Sequence, residues 1–175
     1  VHYRRQFAEA LKRYAARHHR ECSGGRERLE ITYQTVSSVT DPAAEVEVLT
    51  EQLRAHMESH QGAERASRMC LSGPHKDDLV ITIDGREAKS YSSQGQTRTA
   101  ALALKLAERE IYQNATGEYP VLLLDDVLSE LDPRRQEFVL NRIAGGQVFI
   151  TCCEDDRLPV LLGGKVFHVK QGAIG

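Results

Sequence analysis

No part of this sequence approaches the roughly 18 consecutive apolar residues that a membrane-spanning helix requires. The apolar runs at 121–124 (VLLL) and 148–150 (VFI) have the length of buried strands. The first twenty residues are basic and amphipathic, without the apolar centre of a signal peptide, so a cytoplasmic location is expected. Cysteine is scarce: Cys22, Cys70, Cys152 and Cys153 show no metal-ligand spacing. The adjacent pair Cys152-Cys153 would make a strained disulfide, so reduced thiols are expected throughout. Internal repeats and low-complexity segments are lacking as well. The chain does not begin with Met, and Val1 opens directly into a charged helical pattern, so a piece of a longer polypeptide is expected. A phosphate-binding loop of the form G-x-x-x-x-G-K-[ST] is also missing. Gly163-Gly164-Lys165 has a similar look, but Val166 follows it and Pro159 stands where the first glycine should be.

What is present is an ordinary globular composition, 41% hydrophobic and 27% charged over 175 residues, enough for one domain or a small domain with an appendage. Net charge is only −2 but unevenly spread. Residues 1–28 hold eight Lys/Arg against three Glu, whereas residues 41–60 are acidic. The basic first helix is a candidate nucleic-acid surface through Arg4, Arg5, Arg13 and Arg17. A solvated helix face is the simpler alternative, and His18-His19 on the same helix read as solvated.

Apolar spacing at Tyr3, Phe7, Leu11, Tyr14 and Ala15 predicts an amphipathic helix that Ser23-Gly24-Gly25 ends. Alternation over 29–36 predicts a strand. Asp41-Pro42 is expected to open a second helix with a stripe of Val46, Leu49, Leu53 and Met57, broken at Gly62. Residues 79–83 followed by Asp84-Gly85 predict a strand and a tight hairpin, with 86–91 as the return strand. A polar loop at 92–96 precedes a long helix to about Gln113, whose face is Ala100, Ala103, Leu104, Ala107 and Ile111. The run 121–126 has no polar alternation and is expected to be buried on both faces, in the middle of a largely parallel α/β sheet. Asp132-Pro133 should start another helix, stopped by Gly145-Gly146. A strand at 147–152, a short helix near 156–162 and a last strand at 165–170 complete the pattern.

Two carboxylates at the end of a buried strand are costly unless positive charge meets them. Asp125 and Asp126 stand at the usual ligand-binding edge of an α/β sheet. Magnesium with attached phosphates would neutralise them, one carboxylate serving the metal and its neighbour the attacking water. An Asp that merely caps a turn is the plainer reading. The loop Ser93-Gln94-Gly95-Gln96 lets backbone approach a ligand and offers helix-terminal amides to an anion. A structural glycine loop is the plainer reading there too.

Taken together and in order, GPHKDDL at 73–79, YSSQGQTRT at 91–99 and LLDDVLSELD at 123–132 resemble the RecF family of bacterial recombination mediators, ABC-type ATPases related to the SMC proteins. The resemblance covers nearly the whole chain, because residues 1–70 fit the helical arm which that family inserts before these motifs. It implies the C-terminal half of an ABC-type ATPase head (71–175) preceded by a mostly helical arm (1–70). It assigns Ser93, Gln94, Gly95 and Gln96 to the signature motif that meets the γ-phosphate of ATP on the opposite subunit. Asp125 becomes the magnesium ligand, Asp126 the catalytic carboxylate, and Ser129, Glu130 and Asp132 the D-loop. Thr151 falls near the switch position, where Thr-Cys-Cys replaces the histidine common in transporters. Asp126 stands where many ABC proteins have Glu, so slow hydrolysis is implied, and Gln94 replaces the commoner Gly.

The resemblance further implies an ATP- and Mg2+-dependent homodimer on duplex DNA near single-strand gaps, partnership with RecR, and indirect help in loading RecA. The parent would be a weak, DNA-stimulated ATPase acting in gap repair and replication restart, while this chain alone is expected to be inactive. Two rivals are a non-enzymatic docking module and an SMC-like chromosome-organising head. The second fits poorly, since residues 1–60 lack a long heptad pattern.

Overall fold

The computed structural model describes residues 1–128, 131–152 and 164–174, and the chain forms two compact units, Val1–Ile111 and Tyr112–Gly175. The expected helix near 156–162 lies outside the described residues.

In the first unit, helix α1 (His2–Cys22) leads through a Gly24-Gly25 turn into strand β1 (Leu29–Gln34). Helix α2 (Val46–Ser67) follows, and then strand β2 (Asp78–Ile83) runs antiparallel to β1. The register sets Leu29 opposite Ile83, Ile31 opposite Ile81 and Tyr33 opposite Leu79, so one face of the pair is continuously apolar. Against it pack Leu11 and Ala15 of α1 and Ala100 and Ala107 of helix α4 (Gln94–Thr116). The strand that sequence places in the arm thus pairs along its whole length with one beyond residue 70, and residues on both sides share a core.

Asp84 and Gly85 both adopt positive φ, 51° and 77°, as a two-residue hairpin turn demands. The return strand β3 is only Arg86–Glu87, because Ala88–Tyr91 turns into a short helix, α3, that buries Ala88. The expected return strand over 86–91 is therefore cut to two residues.

Several expectations fail in instructive ways. The aromatic end of the α1 stripe is turned outward: Tyr3 and Phe7 are exposed, and the buried face is Ala8, Leu11, Ala15, His18, His19 and Cys22. His18 and His19 are not solvated. His18 Nε2 lies 3.0 Å from Glu110 Oε2, and His19 Nε2 lies 3.2 Å from Glu27 Oε2. A carboxylate beside each ring offsets the cost of burying a polar group. Asp41-Pro42 makes a turn in which the Asp41 side chain accepts from the Ala43 amide at 2.8 Å, and α2 begins four residues later. Gly62 does not break that helix, which ends where Arg68 turns left-handed. A helical glycine costs only about 1 kcal/mol, less than an uninterrupted helix returns. Of the expected α2 stripe Leu49 is buried, whereas Val46 and Met57 are exposed and His56 is buried in their place.

In the second unit strand β4 (Leu122–Asp125) pairs in parallel with strand β5 (Val148–Thr151), with helix α5 (Pro133–Arg142) between them in sequence. This is the expected α/β arrangement. Leu122 and Leu124 are buried, as are Leu128, Leu131, Val139 and Ile143. Leu123 is 70% exposed, so the strand is covered on one face only, contrary to the continuous burial expected from its composition. Asp132 caps α5, its side chain accepting from the Arg135 amide at 3.1 Å, and Pro133 occupies the first turn. Strands β6 (Val169–Lys170) and β7 (Ala173–Ile174) form a hairpin.

The contact between α1 and α4 is ionic as well as apolar. Burial opposes ionisation of Glu110, yet hydrogen bonds and charge from Arg17 and His18 hold its carboxyl below the usual range. A depressed carboxyl contributes stability above its unfolded value and loses it as pH falls through the folded one. Glu110→Gln should therefore be less stable than the parent near neutrality. In urea unfolding across about pH 7 to about pH 3 the gap should close on acidification. A gap independent of pH would contradict this coupling.

Candidate functional site

The paired carboxylates sit where β4 leaves the sheet. Asp125 is the last residue of the strand and lies in register with Thr151, the last residue of β5. Parallel pairing puts both at the carboxyl edge, where open α/β sheets bind ligands. The Thr151 hydroxyl donates to Asp125 Oδ1 and accepts from the Asp126 backbone amide at 3.0 Å. The same amide also reaches the Thr151 carbonyl at 3.1 Å. One β-branched side chain thus ties both aspartates to the neighbouring strand.

Asp126 adopts φ +51°, a left-handed conformation that Asp tolerates better than most residues. Its amide, shared between two acceptors of Thr151, holds that turn in place. Asp125, Asp126 and Thr151 are all exposed, so a ligand can reach them. Two carboxylates and a hydroxyl are hard oxygen donors. They fit magnesium, which takes one or two protein carboxylates and fills its other positions with water and phosphate. They do not fit a metal held entirely by protein, and among the described residues no group of three or more His, Cys, Asp or Glu could hold one.

The segment 93–96 is not a loop before a helix: Ser93 stands just ahead of α4, and Gln94, Gly95 and Gln96 are its first turn. Gln96 N–H donates to Ser93 Oγ at 3.3 Å, and Ser93 N–H donates to Gln96 Oε1 at 3.0 Å. This reciprocal capping box satisfies two donors that the helix end leaves over. The S-x-x-Q spacing is the sequence signature of such a box. Gln94 and Gly95 lie in the same turn, and Thr99 Oγ1 donates back to the Gly95 carbonyl at 2.8 Å.

The remaining candidates divide. Asp132 is occupied as the α5 cap, with Arg135 Nε 3.5 Å from its other oxygen. Ser129 and Glu130 lie outside the described residues. Arg17 pairs with Glu110 and lies over the Tyr14 ring, and Arg4 donates to the Pro74 carbonyl. Arg13 is exposed with Tyr14 beneath it, and Arg5 is half-buried. In the GPHKDD segment, Tyr33 donates its phenolic hydrogen to Asp77. Burial, and then this carboxylate, push the Tyr33 phenol well above its ordinary value. His75 is exposed, and its ring fills the space a side chain at Gly73 would need, 3.1 Å from the Cβ position.

No protein-family profile matches the sequence. Individual relatives do. The chain is 42% identical over 174 residues to the DNA replication and repair protein RecF of Symbiobacterium thermophilum, covering 95% of this chain and 46% of that protein. It is 39% identical to RecF of Bacillus subtilis, covering 98% of this chain and 47% of the relative. A solved structure of the recombination mediator RecF with ATP in the RecFOR pathway superposes with a TM-score of 0.77 at 36% identity, over 99% of this chain and 45% of that one. A second, described as RecF–ATPrS, gives 0.79 at 37%, over 98% and 45%. The chain spans a little under half the length of the relatives it matches. The α/β fold of the ABC-type ATPase head is that of these structures.

The Thr151 bridge generates a direct test. Thr151→Val keeps shape but removes the hydroxyl, and should lower stability by about 1 kcal/mol in urea unfolding, whereas Thr151→Ser should keep most of it. Equal stability of the two variants would show that the bridge contributes nothing.

Proposed function

From the premise that this chain is similar over nearly its whole length to a C-terminal portion of RecF, we propose that it supplies the signature and Walker B surfaces of an ATP-dependent, DNA-binding recombination mediator. The observation behind this reading is the register of β4 and β5. It sets Asp125 beside the Thr151 hydroxyl at the ligand edge and leaves Asp126 in a constrained turn next to it.

In this reading Asp125 is the magnesium ligand, and Asp126 positions or deprotonates the water that attacks the terminal phosphate. Thr151 holds the two apart in role by giving its proton to Asp125 and its lone pair to the Asp126 amide. Ser93, Gln94, Gly95 and Gln96 meet the γ-phosphate of ATP bound to a second copy. Ser129, Glu130 and Asp132 cross the interface between copies, Asp132 doing so from its place as the α5 cap. Magnesium neutralises phosphate charge, and the carboxylates supply the oxygens that hold it. The parent then closes as a homodimer on duplex DNA near single-strand gaps, with Arg4, Arg5, Arg13 and Arg17 as DNA-contact candidates on the arm at 1–70. Its pathway partners are RecR directly and RecA indirectly, in gap repair and replication restart in the cytoplasm. Because 175 residues contain no phosphate-binding loop, the isolated chain neither binds ATP tightly nor hydrolyses it.

The experiment is Asp126→Asn in the complete protein. ATP binding and ATP-driven self-association should persist, while turnover falls by about 100-fold or more, the scale of losing a general base. Turnover within a few-fold of the parent would remove Asp126 from this role.

A further inference from the structure

The capping box does not stand alone. Gln96 uses its carbonyl oxygen to accept from the Ser93 amide, and its Nε2 donates to Glu27 Oε1 at 3.3 Å. The other oxygen of Glu27 lies 3.2 Å from Nε2 of His19, whose side chain has no exposed surface. Glu27 is held in turn at its backbone, where its amide donates to Ser23 Oγ at 3.4 Å just past the end of α1. A line of polar contacts therefore runs from a fully buried histidine on α1 to the first turn of α4.

A carboxamide has two chemically different ends, and a carboxylate can only accept. Facing Glu27, Gln96 must present its NH2 group, which leaves its oxygen for the Ser93 amide. Rotated by half a turn, Gln96 would set its own N–H groups against the Ser93 N–H and its oxygen against Glu27. Both contacts would then be repulsive, and the capping box would open. The choice between the two orientations is made by Glu27, whose backbone is tied to Ser23 and whose second oxygen faces the His19 ring at 3.2 Å.

We infer that His19 and Glu27 are positioning residues for the nucleotide-contacting turn, fixing the amide orientation of Gln96 and through it the placement of Ser93. This rests on the reading of Ser93–Gln96 as a signature motif, but the contact line itself can be tested apart from that reading. Neither His19 nor Glu27 is placed against nucleotide. Each acts through Gln96.

The decisive variants exchange the two side-chain types. Gln96→Glu alone sets a carboxylate against Glu27. Adding Glu27→Gln restores the polarity: the new amide donates to the residue 96 carboxylate and turns its oxygen toward His19, and the carboxylate still accepts from the Ser93 amide. In the complete protein, hydrogen exchange of the peptide covering residues 92–97 should speed up by about fivefold or more in Gln96→Glu and return to near the parent rate in the double variant. ATP-driven self-association should weaken and recover in parallel. If the double variant exchanges as fast as the single one, or the single one as slowly as the parent, the positioning role is overturned. If exchange follows the expected pattern but association does not, the contact line stands and the assignment of this turn to nucleotide falls.

Discussion

Two adjacent carboxylates at the end of a strand repel each other and need donors that the strand itself cannot offer. Here the donor comes from the next strand in space. Parallel pairing aligns Asp125 with Thr151, and a single hydroxyl gives its proton to one aspartate while accepting the amide of the other. The positive φ of Asp126 and the exit of the chain from β4 sit at that contact. Moving the register by one residue would put Cys152 or Ile150 opposite Asp125, and neither has a hydroxyl.

The first unit solves a similar problem at the head of α4. A helix start leaves backbone N–H groups without partners, and Ser93 and Gln96 satisfy two of them reciprocally. Orientation of the Gln96 amide is then a second question, answered by Glu27 with His19 behind it. In both places a polar side chain is defined by what its neighbour can and cannot donate.

Much of this was open to reading in the sequence where the signal is local. The Asp84-Gly85 turn, the Asp132-Pro133 start of α5 and the apolar run entering Asp125 each follow from the chemistry of a few neighbouring residues, and the structure has all three. Contacts between distant residues were not legible. Helical spacing announced α1 but not its buried face, because the partner that makes His18 tolerable inside is Glu110, 92 residues away. Gly62 looked like a breaker because propensity counts single residues, while a helix of 22 residues absorbs one glycine. Composition suggested that β4 is covered on both sides, but composition cannot say which elements are at hand to cover it. At the site, the paired aspartates were visible as residues, and their link through Thr151 needed the strand register.

In the proposed dimer Ser93 and Asp126 belong to two different composite sites, each completed by another copy of the protein. Mixing complete subunits that carry Ser93→Ala with subunits that carry Asp126→Asn tests this most directly. In a mixed dimer one site would then be intact and the other would hold both defects. Mixing two nearly inactive variants should restore ATP turnover, approaching about half of the parent rate per mixed dimer if the sites act independently. Turnover that stays at the level of the separate variants at every mixing ratio would contradict it.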